Sequence, residues 1–166
     1  ILHDGFDCVI RTGALPEDGV IARPLGKLTM VNCASPHYLT RFGYPQSPDD
    51  LTSHAIVRYT PLLGVHPLGF EVASVNGVQW FKSGGMLTVN SSENYLTAGL
   101  AGLGIIQIPR IAVREALRAG RLIEVLPGYR AEPLSLSLVY PQRRELSRRV
   151  NLFMQWLAGV MKEYLD

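Results

Sequence analysis

The chain has 166 residues, of which 47% are hydrophobic and 18% are charged. This composition excludes an intrinsically disordered chain, which has few apolar residues, and a coiled coil, which has many charges. Sixteen Lys and Arg against fourteen Asp and Glu leave a net charge of +2, so the charge gives little support for a nucleic-acid-binding face.

Strands alternate with short helices along the chain, which predicts an α/β fold. Apolar runs predict strands at residues 8–10, 20–25, 28–33, 56–59, 70–75, 86–89, 105–108, 122–126 and 134–140. Helix-start signals occur at Ser35-Pro36, Ser47-Pro48, Asn90, Pro109 and Ser147. Residues 60–69 are expected to form a loop, and Trp80 and Phe81 fall in a turn-rich stretch.

The sequence lacks the motifs of the common catalytic and metal sites. Four scattered histidines form no metal-ligand spacing, and no GxSxG nucleophile elbow occurs. The two cysteines, Cys8 and Cys33, lie among apolar residues and are expected to be buried free thiols in a reducing compartment. No apolar run is long enough to span a membrane. We therefore expect no enzyme activity, no metal and no cofactor.

Two polar segments follow predicted strands. Asn90 and Ser91 open a helix after the strand at 86–89, and Asn90 has capping-box spacing to Glu93. Arg11 and Thr12 follow the first strand. Ligands of open α/β sheets bind at the carboxyl ends of strands, so these residues would suit a small anion or carboxylate. Plain helix capping explains Asn90 equally well.

Five segments in register across almost the whole chain resemble the effector-binding domain of LysR-type transcriptional regulators. They read FDCVIRTGALPEDGVIARPLG, VNCASPHYLTRFGYPQSPDDLTSHAIVRY, GLAGLGIIQIP, GRLIEVLPGY and LVYPQRRELSRRVNLFMQWL. The most specific part is ASPHYL…GYPQSPDDL…H. Such regulators begin with a winged helix-turn-helix, which this sequence lacks together with the opening strand and helix of the first lobe.

The resemblance implies a two-lobed, periplasmic-binding-protein-like α/β fold with two crossover strands. Residues 28–134 would form the second lobe, and residues 1–27 and 135–166 part of the first. A small-molecule effector would bind in the cleft. Carried over by position, the effector-binding residues are Arg11, Thr12, Thr60, Pro61, Asn90 and Ser91.

The resemblance also implies a cytoplasmic regulator that is a homodimer or tetramer at full length. It would bind promoter DNA only through the absent N-terminal domain and would not associate with a membrane. Two alternatives stay open on the residues alone. One is a stand-alone solute-binding protein of the periplasmic type, and the other is a small enzyme.

Overall fold

The computed structural model describes residues 6–13, 19–60, 69–142 and 147–165, except for the side chain of Met86. The chain divides into two compact units, one formed by residues 1–29 and 133–166 and the other by residues 30–132. We call them the terminal unit and the central unit. The sequence-based division put the boundaries at 27/28 and 134/135.

Among its described residues, the terminal unit contains three strands and one helix. The strands are β1 (Val9–Thr12), β2 (Val20–Leu28) and β10 (Leu134–Pro141), and the helix is α4 (Arg148–Met161). The sheet has the order β1-β10-β2, with both pairs antiparallel. Ser147 caps α4 as predicted, and its side chain accepts the Val150 N–H.

One prediction for this unit is wrong. A break was expected at Gly26-Lys27, but β2 continues through it to Leu28 with an irregularity opposite Leu136 and Ser137. A β-bulge absorbs the extra residue without ending the strand. The helix α4 leaves much apolar surface uncovered within the described residues. Leu152, Phe153, Trp156 and Val160 are exposed, and Met154 is the buried residue of α4.

The described part of the central unit contains seven strands, three α-helices and a 3₁₀ helix. The strands are β3 (Met30–Ala34), β4 (Ala55–Tyr59), β5 (Phe70–Ser74), β6 (Gly77–Phe81), β7 (Gly84–Val89), β8 (Ile106–Pro109) and β9 (Ile123–Glu124). The helices are α1 (Pro36–Phe42), the 3₁₀ helix (Pro48–Ser53), α2 (Ser92–Leu100) and α3 (Arg110–Arg118).

The strands of this unit carry apolar side chains on both faces. β3 lies between β8 and β9 and is antiparallel to both. β4 pairs with β7 in parallel. A single parallel bridge between Ile56 and Ile105 joins β4 to the residue that precedes β8. Val57 packs in a buried cluster that α2 and α3 cover, which we call the first cluster. Its neighbour Ile56 packs in another, the second cluster, which α1 and β5 cover. Alternation of side chains along a strand accounts for this division.

The first two helix starts in the central unit follow local sequence signals, with a correction to the type of the second helix. Ser35 caps α1, with Pro36 in its first turn, as predicted. The segment after Ser47-Pro48 is a 3₁₀ helix, in which the Asp50 carboxylate accepts the N–H groups of Gln46 and Ser47 at 2.8 and 2.9 Å.

The stretch that holds Trp80 and Phe81 is a strand, which corrects its prediction as turn-rich. β6 pairs with β5 in an antiparallel hairpin, with Trp80 opposite Glu71 and Phe81 opposite Phe70. The buried Phe70 side chain belongs to the second cluster, and Phe81 packs against that cluster. This packing holds the hairpin against the sheet.

Candidate functional site

Two parallel strands of the central unit end together at one edge of the sheet. Tyr59 of β4 is opposite Val89 of β7, and the Thr60 N–H donates to the Val89 carbonyl at 3.0 Å. Asn90 follows Val89 directly, so the structure brings Thr60, Asn90 and Ser91 to the same strand ends. Thr60 is buried and Asn90 is exposed. Ligands of α/β sheets bind at such an edge.

The N-cap of α2 is Ser91, so the prediction of Asn90 as the cap is wrong by one residue. Ser91 Oγ accepts the Asn94 N–H at 3.4 Å and donates to Glu93 Oε2 at 2.6 Å. The Ser91 hydrogen bond lowers the pKa of Glu93. A carboxylate therefore already lies beside the positive end of the helix dipole. The Glu93 carboxylate would repel a ligand anion at this helix start.

Arg11 and Thr12 lie in the terminal unit and do not follow β1 as predicted. They are its last two residues and pair with Ser137 and Leu136 of β10. Both are exposed. Pro61, the remaining predicted contact, lies outside the described residues.

A cavity of about 230 Å³ lies within the central unit. Its walls are mainly apolar and aromatic, with three polar or charged side chains among them. The lining residues are Met30, Ile56, Val57, Arg58, Tyr59, Gly69, Glu71, Trp80, Tyr95, Gln107 and Ala131. The sequence reasoning missed this cavity. The available signal was Arg58, a charged residue in the otherwise apolar strand that precedes Thr60.

Arg58 has an incompletely satisfied guanidinium group. One Nη2 hydrogen bond goes to the Ser83 carbonyl at 2.9 Å, whereas the buried Nε has no partner. Gly85 makes room for this group, since a Cβ there would lie 3.0 Å from Arg58 Nε. The salt bridges found among the described residues do not include Arg58. The Arg58 charge therefore has no acidic partner among the described residues, and its Nε–H is buried without an acceptor.

Gln107 holds one side of the cavity together. Its Nε2 donates to Asn32 Oδ1 at 2.9 Å and to the Glu71 carbonyl at 2.8 Å, and its Oε1 accepts the Glu71 N–H at 2.9 Å. The Gln107 N–H donates to the Tyr95 hydroxyl at 2.8 Å. Both amide hydrogens are used, so Gln107 fixes the β5–β6 hairpin against β8 and has no hydrogen left for a ligand.

The cysteines do not form a reactive site in the described part of the chain. Cys33 is fully buried, and burial, helped by the Glu124 charge, raises its pKa to about 12. Such a thiol is almost never the nucleophilic thiolate. Cys8 is half-buried, which corrects the expectation that both thiols are buried, and desolvation raises its pKa. The described residues contain no cluster of metal-ligating side chains.

The sequence profile of the LysR substrate binding domain matches residues 1–162. The chain belongs to this family. The match covers both the terminal and the central unit, and the predicted α/β fold class of LysR effector-binding domains is thereby confirmed. No helix of the described residues has the length and apolar character needed to cross a membrane.

Similar proteins are transcriptional regulators. The chain is 99% identical over 166 residues to the HTH-type transcriptional regulator YhjC of Escherichia coli, of which it covers 56%. It is 34% identical over 165 residues to an HTH-type transcriptional repressor of Pseudomonas aeruginosa. The HTH-type transcriptional activator AaeR of Escherichia coli is 31% identical over 165 residues, and 98% of this chain is covered. The chain spans about half the length of these relatives.

Solved structures of LysR-type regulators share the fold. The CrgA regulatory domain of Neisseria meningitidis matches with a TM-score of 0.82 at 25% identity, covering 96% of this chain and 77% of that one. The full-length virulence activator AphB of Vibrio cholerae matches with a TM-score of 0.77 at 25% identity, covering 94% of this chain and 52% of that one.

Proposed function

We propose that this chain is the effector-sensing part of a transcriptional regulator, in which a small molecule changes how the whole protein acts on DNA. The observation that carries the proposal is the LysR substrate binding domain match over residues 1–162. The full protein would be a cytoplasmic homodimer or tetramer that contacts DNA outside this chain.

A non-enzymatic role is part of the proposal. The relatives are regulators, and the described residues contain no metal cluster and no reactive cysteine. The names of the relatives also favour a regulator over a stand-alone solute-binding protein. Fold alone would not separate these two functions.

In the central unit, we propose that Thr60, Asn90 and Ser91 contact the effector. The support is the pairing of β4 with β7, which places Thr60 beside Val89 and the start of α2. Ser91 is already engaged with Asn94 and Glu93, so Asn90 is the residue freer to make a polar contact. Arg11, Thr12 and Pro61 stay predictions from the resemblance.

Two measurements on the full-length relative that is 99% identical to this chain test the proposed function. Genomic fragments that it binds are first selected at physiological salt, and metabolites are then screened for those that change this binding. We expect specific fragments and at least one such metabolite. A protein that selects no DNA, or turns a metabolite over, would contradict the proposal.

The binding residues are tested with that metabolite by calorimetry. Asn90→Ala should weaken binding about tenfold if Asn90 donates to a charged ligand group, since such a bond contributes about 1.5–3 kcal/mol. Thr97→Ala is the matched control, because Thr97 is exposed on α2 away from the start of that helix. Equal binding by the folded Asn90→Ala variant would remove Asn90 from the site.

A further inference from the structure

The outer face of α3 carries three arginines, Arg110, Arg114 and Arg118, which we call the arginine row. They are four residues apart, so their Cα atoms lie within an arc of about 80° and advance by about 6 Å per arginine along the helix axis. Val113 and Ala116, the buried residues of α3, belong to the first cluster. The arginine row is therefore on the side of α3 that faces away from that cluster.

The arginine row is accessible, and an apolar side chain lies next to it. The exposed fractions of the side chains are 45% for Arg110, 48% for Arg114 and 66% for Arg118. Ile111 is 37% exposed and follows the row around the helix surface. Arginine is enriched in protein–protein interfaces, and an exposed apolar side chain offers a partner surface to bury.

The positive charge of the chain is concentrated in this segment. Residues 110–130 contain five arginines, two glutamates and no other charged residue, so their net charge is +3. The whole chain has a net charge of +2. The surface around α3 is thus a local basic feature in a chain whose remaining charges nearly cancel.

The two glutamates of the segment organise the arginines. Glu124 accepts hydrogen bonds from Arg110 Nη2 at 2.7 Å and from Arg130 Nε at 2.9 Å, so both of its oxygens are used. Glu115 Oε1 lies 3.3 Å from Arg118 Nη1. Two carboxylates orient the guanidinium groups, but they cannot neutralise five of them.

Carboxylates on a partner helix would match the arginine row. Glutamates at four-residue intervals have the same spacing along a helix as the arginines, and a guanidinium binds a carboxylate through two parallel hydrogen bonds. The described helices of this chain supply no such complement, because α1 and α4 contain no acidic residue and α2 and α3 contain one each. The matching surface therefore belongs to a different protein rather than to a second copy.

A protein fits this surface better than a nucleic acid does. Glu115 and Glu124 lie among the arginines, and a DNA duplex carries an unbroken series of phosphates, one charge per about 1.7 Å of axis. Some of these phosphates would face the glutamates. A protein partner can place a carboxylate opposite an arginine and a neutral residue opposite a glutamate.

We propose that the outer face of α3 docks an acidic helix of a partner protein. Arg114 and Arg118 face the carboxylates of that helix, and Ile111 contacts an apolar residue beside them. The inference goes beyond the proposed function, because it assigns a protein partner to a surface that contains none of the residues proposed to contact the effector.

The test uses the full-length relative that is 99% identical to this chain, with substitutions at the equivalent positions. Fluorescence anisotropy measures binding of a labelled alanine-based peptide with a glutamate at every fourth position and a leucine beside that series. One comparison peptide distributes the same residues around the helix, and another has lysine in place of glutamate. The first peptide should bind more tightly than either, and physiological salt should weaken its binding because exposed charges are screened.

Substitutions locate the binding surface. Arg118→Glu should weaken binding of the first peptide about tenfold, because it replaces an attraction by a repulsion of similar size. Arg118→Lys, which keeps the charge, should retain most of the binding. Lys82→Glu is the matched control, because it makes the same change of charge at an exposed residue of the central unit outside α3. It should leave binding nearly unchanged.

Three outcomes would overturn the proposal. The first is absence of peptide binding. The second is equal binding of the two glutamate peptides, or equal losses from Arg118→Glu and Lys82→Glu, which would show attraction by net charge alone. The third is a random-sequence duplex that loses affinity in Arg118→Glu while the peptide does not bind, which would assign the face to nucleic acid. Selection of genomic fragments and the response to a metabolite are measured separately, so the proposed function can stand when this inference fails.

Discussion

The Tyr38 hydroxyl lies 3.0 Å from Nδ1 of His54 and accepts the Ala55 N–H at 2.9 Å. Tyr38 belongs to α1, whereas His54 ends the 3₁₀ helix and precedes β4. Both side chains are buried, and Tyr38 is part of the second cluster. The most family-specific segment of the sequence thus encodes a hydrogen-bonded link that sets where β4 begins.

Removing this hydroxyl should destabilise the protein. Tyr38→Phe leaves the Ala55 N–H and His54 Nδ1 without their partner, and an unsatisfied buried group costs about 1–3 kcal/mol. The free energy of unfolding, measured by urea titration, should fall by that amount. Tyr44→Phe is the control, because Tyr44 is exposed, and it should change the free energy little. Equal stability of the two variants would show that the link contributes nothing.

His54 should make stability depend on pH. Its side chain is 6% exposed, and burial lowers its pKa from the ordinary value near 6.5, with Asp50 opposing the shift. The unfolded chain therefore binds a proton at a higher pH than the folded protein does. The stabilisation from a neutral His54 is present above pH 6.5 and is lost as the pH falls below that value, down to the lowered pKa.

The measurement compares unfolding free energies from pH 7.5 downward, at intervals of about half a unit through the window in which His54 titrates. The decrease with falling pH should be smaller in His54→Gln than in the unsubstituted protein. His37→Gln, at an exposed position of α1, is the matched control and should keep the full decrease. Identical pH profiles for His54→Gln and the unsubstituted protein would contradict the prediction.

The start of α2 should respond differently to substitution at adjacent residues. Ser91→Ala removes the N-cap, which costs about 1 kcal/mol, and raises the pKa of Glu93 by removing its hydrogen bond. Asn90→Ala, one residue before the cap, should change the stability by less than about 0.5 kcal/mol. The free energies of unfolding of the two variants, measured by chemical denaturation, distinguish these effects. A larger loss from Asn90→Ala would restore Asn90 as the cap.

Two Gly→Ala substitutions within helices should have opposite effects on stability, because α2 packs closely against β8 and α4 leaves open space at its glycine. A Cβ at Gly99 would lie 2.6 Å from Ile106 Cδ1, so Gly99→Ala should destabilise by about 1–3 kcal/mol. Gly159, within α4, has nothing within 4 Å of such a Cβ. Gly159→Ala should stabilise by about 0.5–1 kcal/mol through the better helix propensity of alanine. Thermal unfolding of both variants tests the signs.

Local signals predicted much of the fold because each depends on neighbours in sequence. Ser35 and Ser147 cap helices as expected, since a cap needs only the three following residues. Gly26 and Trp80 were misinterpreted because their structure depends on distant partners. A β-bulge in the pairing with β10 lets β2 continue through Gly26. Pairing with Glu71 makes a strand of the segment that holds Trp80.

The candidate site was predictable only in part. Parallel pairing of β4 with β7 follows from the α/β pattern, and it brings Thr60 to the Asn90 segment. The cavity depends on residues from Met30 to Ala131, which no local window contains. The missing acceptor of Arg58 Nε is likewise visible only in three dimensions, because it depends on how Ser83 and Gly85 surround the guanidinium.

The central unit is one uninterrupted stretch of the polypeptide, whereas the terminal unit needs two. Residues 30–132 include every member of both buried clusters and all the walls of the cavity. Met30 and Ala131, near the two ends of that stretch, line the same cavity and so lie near each other. Adjacent ends of a continuous stretch are the arrangement that circular permutation and insertion into a host protein require.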